Sequence, residues 1–170
     1  FLEFLAASSG FVRLIRKQGQ LVDWALSGQP IFGLAVDLGT TKIAAYLVDL
    51  VSGNIAAKSS AMNPQISYGE DVISRILYCM EHENGRNLLQ KLVVDTLNNL
   101  SKTMCAAVGT TQQQIIEIVV VGNTAMHHLF AGLPVRQLGL SPYSPAVVDA
   151  MVIDAAALGL SASTRARVFT

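Results

Sequence analysis

Apolar and polar positions along this chain follow two periods, and the switch between them marks out the elements. Residues 32–36 form an uninterrupted apolar run and residues 43–48 a second, and both read as buried strands. A third strand candidate spans residues 54–61 after a Ser52-Gly53 turn, so three strands follow one another before any helical pattern. From Glu70 the period lengthens, and Val72, Ile73, Ile76, Leu77 and Met80 are expected on one face of a helix. Residues 84–108 predict a longer amphipathic helix with a stripe from Leu88 to Met104, closed by Gly109. Residues 111–114 fit a capping box at a short turn. A β-branched strand over 115–121 then runs into Gly122, and Asn123 or Thr124 caps a helix ending near Gly132. A short apolar segment over 147–153, a turn of helix through Leu158 and a strand over 166–170 close the pattern. Ahead of all this, residues 1–7 read as the end of a helix, and 11–16 with 20–26 as a small hairpin around Gly19. The turn chemistry of Ser27-Gly28-Gln29-Pro30 sets a boundary between residues 1–30 and a main unit over 31–170.

Between the first two strands of the main unit stands Asp37-Leu38-Gly39-Thr40-Thr41, too polar and small for a core. Gly39 permits a tight turn with no Cβ in the way. One carboxylate, two hydroxyls and several backbone N–H groups then meet at one point, which suits an oligophosphate and its magnesium. Amides and hydroxyls of Gly39, Thr40 and Thr41 would take phosphate oxygens, and Asp37 would hold the metal, usually through water. Lys42 follows; its ammonium either reaches phosphate or projects into solvent. The same residues are also ordinary hairpin punctuation. At the other strand end, Gly122-Asn123-Thr124 joins a buried strand to a helix N-terminus, where open α/β sheets bind ligands, although plain capping explains these residues equally well. No catalytic residue is assigned.

Other polar groups read more blandly. Asp71 and Arg75 are spaced for an exposed ion pair worth ~0.3–0.5 kcal/mol, with a border on a substrate cleft as the alternative. His127 and His128 point about 100° apart on a helix, so one is expected packed and one exposed. Cys79 and Cys105 lie in helical patterns, with no Cys-x-x-Cys and no histidine at zinc-ligand spacing. They read as ordinary thiols of a reduced, cytoplasmic protein.

Composition changes the picture little. The 170 residues carry no net charge and show no basic stripe, so nucleic acid is an unexpected partner. Half the residues are hydrophobic, yet no run reaches 18 apolar residues, which sets aside a membrane-spanning helix and points to a soluble chain.

The Asp-x-Gly-Thr-Thr turn on the first hairpin of a three-stranded meander resembles the first phosphate motif of the acetate/sugar kinase, heat-shock chaperone and actin superfamily. The order β-β-β-α-α-β-α-β resembles one lobe of its fold, an α/β mixed sheet of the ribonuclease-H-like or actin-like type. Three blocks together narrow this: Gly-Leu-Ala-Val-Asp-Leu-Gly-Thr-Thr over 33–41, Asn-Pro-Gln-x-x-Tyr-Gly-x-Asp-Val-Ile-Ser-Arg-Ile over 63–76, and Val-Val-Gly-Asn-Thr-Ala-Met-His-His-Leu over 120–129. They resemble the reductive activators of corrinoid proteins, ferredoxin-linked ATPases that regenerate the cobalt(I) state of corrinoid methyl carriers.

The resemblance implies ATP and Mg2+ as ligands, a corrinoid protein and a ferredoxin-type electron donor as partners, and a parent that couples ATP turnover to electron transfer; a homodimeric parent stays open. It also implies an N-terminal two-iron, two-sulfur domain whose cysteines do not occur here, and a second lobe with its own phosphate motif. The chain is therefore expected to comprise the end of a linker or middle region (1–30) and a first lobe (31–170), and to be inactive alone. A sugar or carboxylate kinase lobe and an actin-like or chaperone-like ATP-binding interaction protein share the phosphate turn and stay open.

Overall fold

The structure, a computed structural model, describes residues 12–17, 19–26 and 28–170. The expected helix end at residues 1–7 lies outside them. Strands β1 (Val12–Lys17) and β2 (Gln20–Leu26) pair antiparallel as the small hairpin, and Ile15 packs against Ile31 and Ile116 of the main unit.

In the main unit, β3 (Phe32–Leu38), β4 (Lys42–Asp49) and β5 (Ile55–Met62) form the antiparallel meander. Helices α1 (Val72–Glu81) and α2 (Gly85–Ala107) then cross over to β6 (Ile115–Gly122), which lies parallel to β3. Helix α3 (Thr124–Ala131) follows, and β7 (Val152–Asp154) and β8 (Arg167–Phe169) complete a six-stranded mixed sheet in the order β5-β4-β3-β6-β8-β7. This is the α/β lobe expected, with one strand more. The apolar segment over 147–153 pairs only at its end, where Val152–Asp154 makes a short antiparallel edge on β8.

Alternation along the strands decides where the core sits. Phe32, Leu34, Val36 and Leu38 of β3 face the helices together with Ile43, Ala45 and Leu47 of β4 and Ile118 and Val120 of β6, all buried. Leu89, Val93, Leu97 and Met104 of α2 and Met126, Leu129 and Phe130 of α3 complete this core. The strand residues between them point the other way, and Asp37, Tyr46, Val119 and Val121 are exposed. Uninterrupted apolar runs suggest strands covered on both faces; among the described residues α1, α2 and α3 all cover the same one.

Helix α1 keeps only part of its expected face: Val72, Ile76 and Met80 pack on the core. Ile73 and Leu77 are exposed, whereas Arg75 and Ile76 are buried and Val72 and Cys79 half-buried. The core-facing stripe is therefore 72/75/76/79/80, with a guanidinium inside it. Nor does Arg75 pair with Asp71. The Asp71 carboxylate caps α1, accepting from the Ser74 amide at 2.7 Å and the Ser74 hydroxyl at 2.7 Å. Those bonds hold its pKa below the usual carboxylate value, the Ser74 amide being the largest cause. A buried cation costs several kcal/mol, roughly tenfold what an exposed i,i+4 pair returns, so its hydrogen bonds decide its place.

Candidate functional site at the ends of the central strands

Parallel pairing of β3 and β6 sets Leu38 opposite Gly122, so the chain leaves both strands at the same end of the sheet. From β3 it turns back through Gly39, Thr40 and Thr41 into β4; from β6 it enters α3 at Asn123. Close approach accounts for both glycines. A Cβ on Gly39 would stand 2.5 Å from the Lys42 carbonyl oxygen, and one on Gly122 would stand 2.9 Å from that of Leu38, distances real Cβ atoms do not adopt.

Asn123 joins the two exits. Its Oδ1 accepts from the Met126 amide at 3.0 Å, capping α3, and its Nδ2 donates to the Thr40 hydroxyl at 3.1 Å. Asn123 rather than Thr124 is thus the cap. The Thr40 oxygen accepts in this bond, which leaves its own proton for another acceptor.

The turn is braced from behind at every carbonyl. Asn63 Nδ2 donates to the Gly39 oxygen at 2.9 Å, Arg75 donates to the Thr40 oxygen at 2.6 Å, and the Asn63 amide donates to the Thr41 oxygen at 2.9 Å. In a planar trans peptide the C=O and the following N–H point in opposite directions. Carbonyls held inward at Gly39 and Thr40 therefore aim the amides of Thr40 and Thr41 outward.

The brace continues inward. Arg75 Nε donates to the Gly69 oxygen at 2.9 Å, and another guanidinium nitrogen reaches Gln65 Oε1 and Met126 Sδ, each at 3.2 Å. Gln65 in turn donates to the Leu89 carbonyl at 2.9 Å, and its amide donates to Asn63 Oδ1 at 3.0 Å. Asn63, Gln65 and Arg75 are at most 1% exposed. The turn, the 63–69 loop and the three helices are thus linked by one buried polar network.

The expected site residues divide accordingly. Gly39, Thr40, Thr41, Gly122 and Asn123 come together at the paired exits. Asp37 is exposed on the uncovered face, in register with Ala44 and Val121. Lys42 is exposed at the start of β4 opposite Met62, and Thr124 opens α3 at the rim of a cleft of about 260 Å³. That cleft runs from Gly122 and Thr124 past His127 to residues 145–150.

His128 pins the far wall of the cleft. It is fully buried, as expected for one of the two histidines, while His127 is only partly exposed. His128 Nδ1 lies 2.8 Å from the Thr124 carbonyl, which can only accept, and Nε2 lies 3.1 Å from the Ala146 amide, which can only donate. The ring is therefore neutral with its proton on Nδ1. Burial is the main cause that pushes its pKa below the ordinary value; the Thr124 contact opposes this and nearby His127 adds to it.

The buried brace is what sequence reasoning missed. Its signal was present: Arg75 falls at helical spacing between Val72 and Cys79, inside the apolar stripe. A polar residue among core positions points to a satisfied internal network.

The ligands implied by resemblance fit unequally. The outward amides, the Thr40 proton and the exposed Asp37 carboxylate suit a phosphate and its magnesium. The thiols do not suit an iron–sulfur cluster: Cys79 and Cys105 lie on different helices, and burial raises both pKa values. Among the described residues no group of three His, Cys, Asp or Glu stands ready for a metal ion.

A family model described as the RACo middle region matches residues 32–170. The chain belongs to the RACo middle region family. Its relatives include the corrinoid activation enzyme RamQ of Eubacterium limosum, 34% identical over 147 residues, which span 84% of this chain and 25% of that protein. A solved structure of a reductive activator for corrinoid, iron-sulfur protein is 38% identical and superposes with a TM-score of 0.81 over 84% of this chain and 23% of that one. This RACo middle region chain thus spans about a quarter of the length of each. Among its described residues no helix is long and apolar enough to cross a membrane.

Proposed function

We propose that the 37–41 turn, with Gly122, Asn123 and Thr124, binds the phosphates of Mg-ATP. The inward brace on the carbonyls of Gly39, Thr40 and Thr41 carries this reading, because it leaves the intervening amides aimed outward as anion donors. The Thr40 hydroxyl adds a proton beside them. Asp37, exposed near the end of β3, takes the magnesium, usually through water. Lys42 and Thr124 flank the phosphate site.

On the same proposal, residues 31–170 act as one lobe of a two-lobed ATP-binding unit, residues 1–30 belong to the preceding linker or middle region, and a second lobe closes over the nucleotide. The full-length protein is then an ATP-dependent reductive activator that restores the cobalt(I) state of a corrinoid methyl-carrier protein in the cytoplasm. The names carried by the two relatives support this. Electrons come from a ferredoxin-type donor through a two-iron, two-sulfur cluster held elsewhere in the full-length protein, since Cys79 and Cys105 are unsuited to it. ATP supplies the free energy for the uphill reduction. The lobe contributes a nucleotide-dependent shape, because a ligand shifts a conformational equilibrium only through differential affinity for its states.

The test is Asp37→Ala in the full-length protein. ATP turnover and ATP-dependent corrinoid reduction are expected to fall at least about a hundredfold, in line with loss of a charge-stabilising group, while the melting temperature stays near wild type because the side chain is exposed. Undiminished ATP turnover in this variant removes the assignment.

A further inference from the structure

We infer that Arg75 is the positioning residue of the phosphate turn, holding its peptides in the anion-binding orientation and supplying the positive charge behind them. The inference rests on the Mg-ATP reading above and names the group that sets the turn's preference for polyphosphates.

Arg75 is fully buried, and its partners are all neutral: the carbonyls of Gly69 and Thr40, the Gln65 amide oxygen and the Met126 sulfur. Arg75 takes part in neither the Lys91–Asp95 nor the Arg167–Asp154 ion pair. The nearest acid, Asp71, is committed to Ser74 as the cap of α1. Asp71 acts on the guanidinium only through space, as the lesser influence beside burial, and no carboxylate touches it; a methionine or leucine of similar volume would fill the space at lower desolvation cost. A core with no use for the charge has no reason to hold it.

The 2.6 Å bond to the Thr40 oxygen gives the charge its use. That carbonyl and the Thr41 N–H are the two ends of one peptide group. A cation on the oxygen end polarises the group and strengthens the N–H at the other end as a donor, since hydrogen bonds in series reinforce one another. The remaining bonds, to Gly69 and Gln65, fix the guanidinium in plane, so a flexible ammonium cannot reproduce the arrangement. Arg75 thus sets both the direction of the Thr41 amide and its strength.

The experiment measures the affinities of the full-length protein for AMP, ADP and ATP with magnesium, in wild type, Arg75→Lys and Arg75→Met. A purely structural role lowers the melting temperature but leaves the ratio of ATP to AMP affinity where it was. A positioning role makes the loss grow with phosphate charge. Arg75→Met is expected to cut that ratio about tenfold and Arg75→Lys about threefold, as for loss of a charge-assisted hydrogen bond. Should Arg75→Met not fold, Arg75→Lys decides alone. An unchanged ratio in the folded variants overturns the inference and leaves the nucleotide site standing; a wild type that does not bind ATP overturns both.

Discussion

Two buried basic side chains, Arg75 and His128, each tie a loop to the helical layer, and they do so under opposite electrostatic rules. Arg75 offers only donors and stays charged at any accessible pH, so it gathers neutral acceptors around the 39–41 turn. His128 is neutral, donates a hydrogen bond to the Thr124 carbonyl and accepts one from the Ala146 amide, and so holds the 145–150 wall of the neighbouring cleft. One brace is indifferent to pH and the other exists only while a ring nitrogen is bare. Adjoining parts of one candidate site can therefore be separated by titration.

The Arg75 brace is most vulnerable at Asn63. Asn63→Ala removes the bond to the Gly39 carbonyl and the acceptor for the Gln65 amide, leaving two polar groups of the Arg75 brace without partners. A loss of about 3 kcal/mol in denaturant unfolding at pH 7 is expected, at ~1–3 kcal/mol for each orphaned group. A loss under about 1 kcal/mol would mean that the brace does not hold the turn.

Acid separates the second region. The folded-state pKa of His128 is depressed, so the unfolded chain binds its proton first. Stability is fully present above the unfolded value near 6.5 and is lost as pH falls toward the depressed folded value, with a slope of up to about 1.4 kcal/mol per pH unit. His128→Gln should flatten this slope as pH falls below 6.5. The acids Asp49 and Asp71, whose pKa values are also lowered, act only as pH falls to their ordinary value of 3.8 and below. Chemical denaturation across the pH range measures this, and equal slopes in the two proteins would take His128 out of the account.

The smallest effect belongs to the sheet edge, where Arg167 and Asp154 pair at 2.8 Å with both side chains at least half exposed. Arg167→Ala is expected to change unfolding free energy by no more than about 0.5 kcal/mol, against about 3 kcal/mol at Asn63. A larger loss would mean that the β7–β8 hairpin is held by this pair rather than by its backbone ladder.

Legibility followed the scale of the signal. The meander, the long helix and the β6–α3 junction were readable because strand runs and helical stripes are local, and the Asp37 turn because Gly39 and its neighbours mark it. Strand β7 was not, since three residues at an edge carry almost no period and pairing with β8 is what makes them a strand. Arg75 was misread for a deeper reason. Its spacing to Asp71 suits an ion pair, and only tertiary structure shows the acid spent on a helix cap while the guanidinium turns inward to carbonyls from Gly69 and Thr40. Asn63 is buried because the turn it supports lies 24 residues away, a separation that no local pattern spans.

The inward carbonyls of the 39–41 turn also have a spectroscopic consequence. Amides aimed away from the protein, with no helix or ladder closing over them, trade their hydrogens for solvent deuterium quickly, while those of β3 and β6 beneath them trade slowly. Thr40 and Thr41 therefore form a fast-exchanging island at the end of a protected sheet. On the proposed phosphate-binding role, an anion seated on that island would slow it without altering the surrounding strands, so two backbone positions would serve as a built-in, label-free gauge of occupancy.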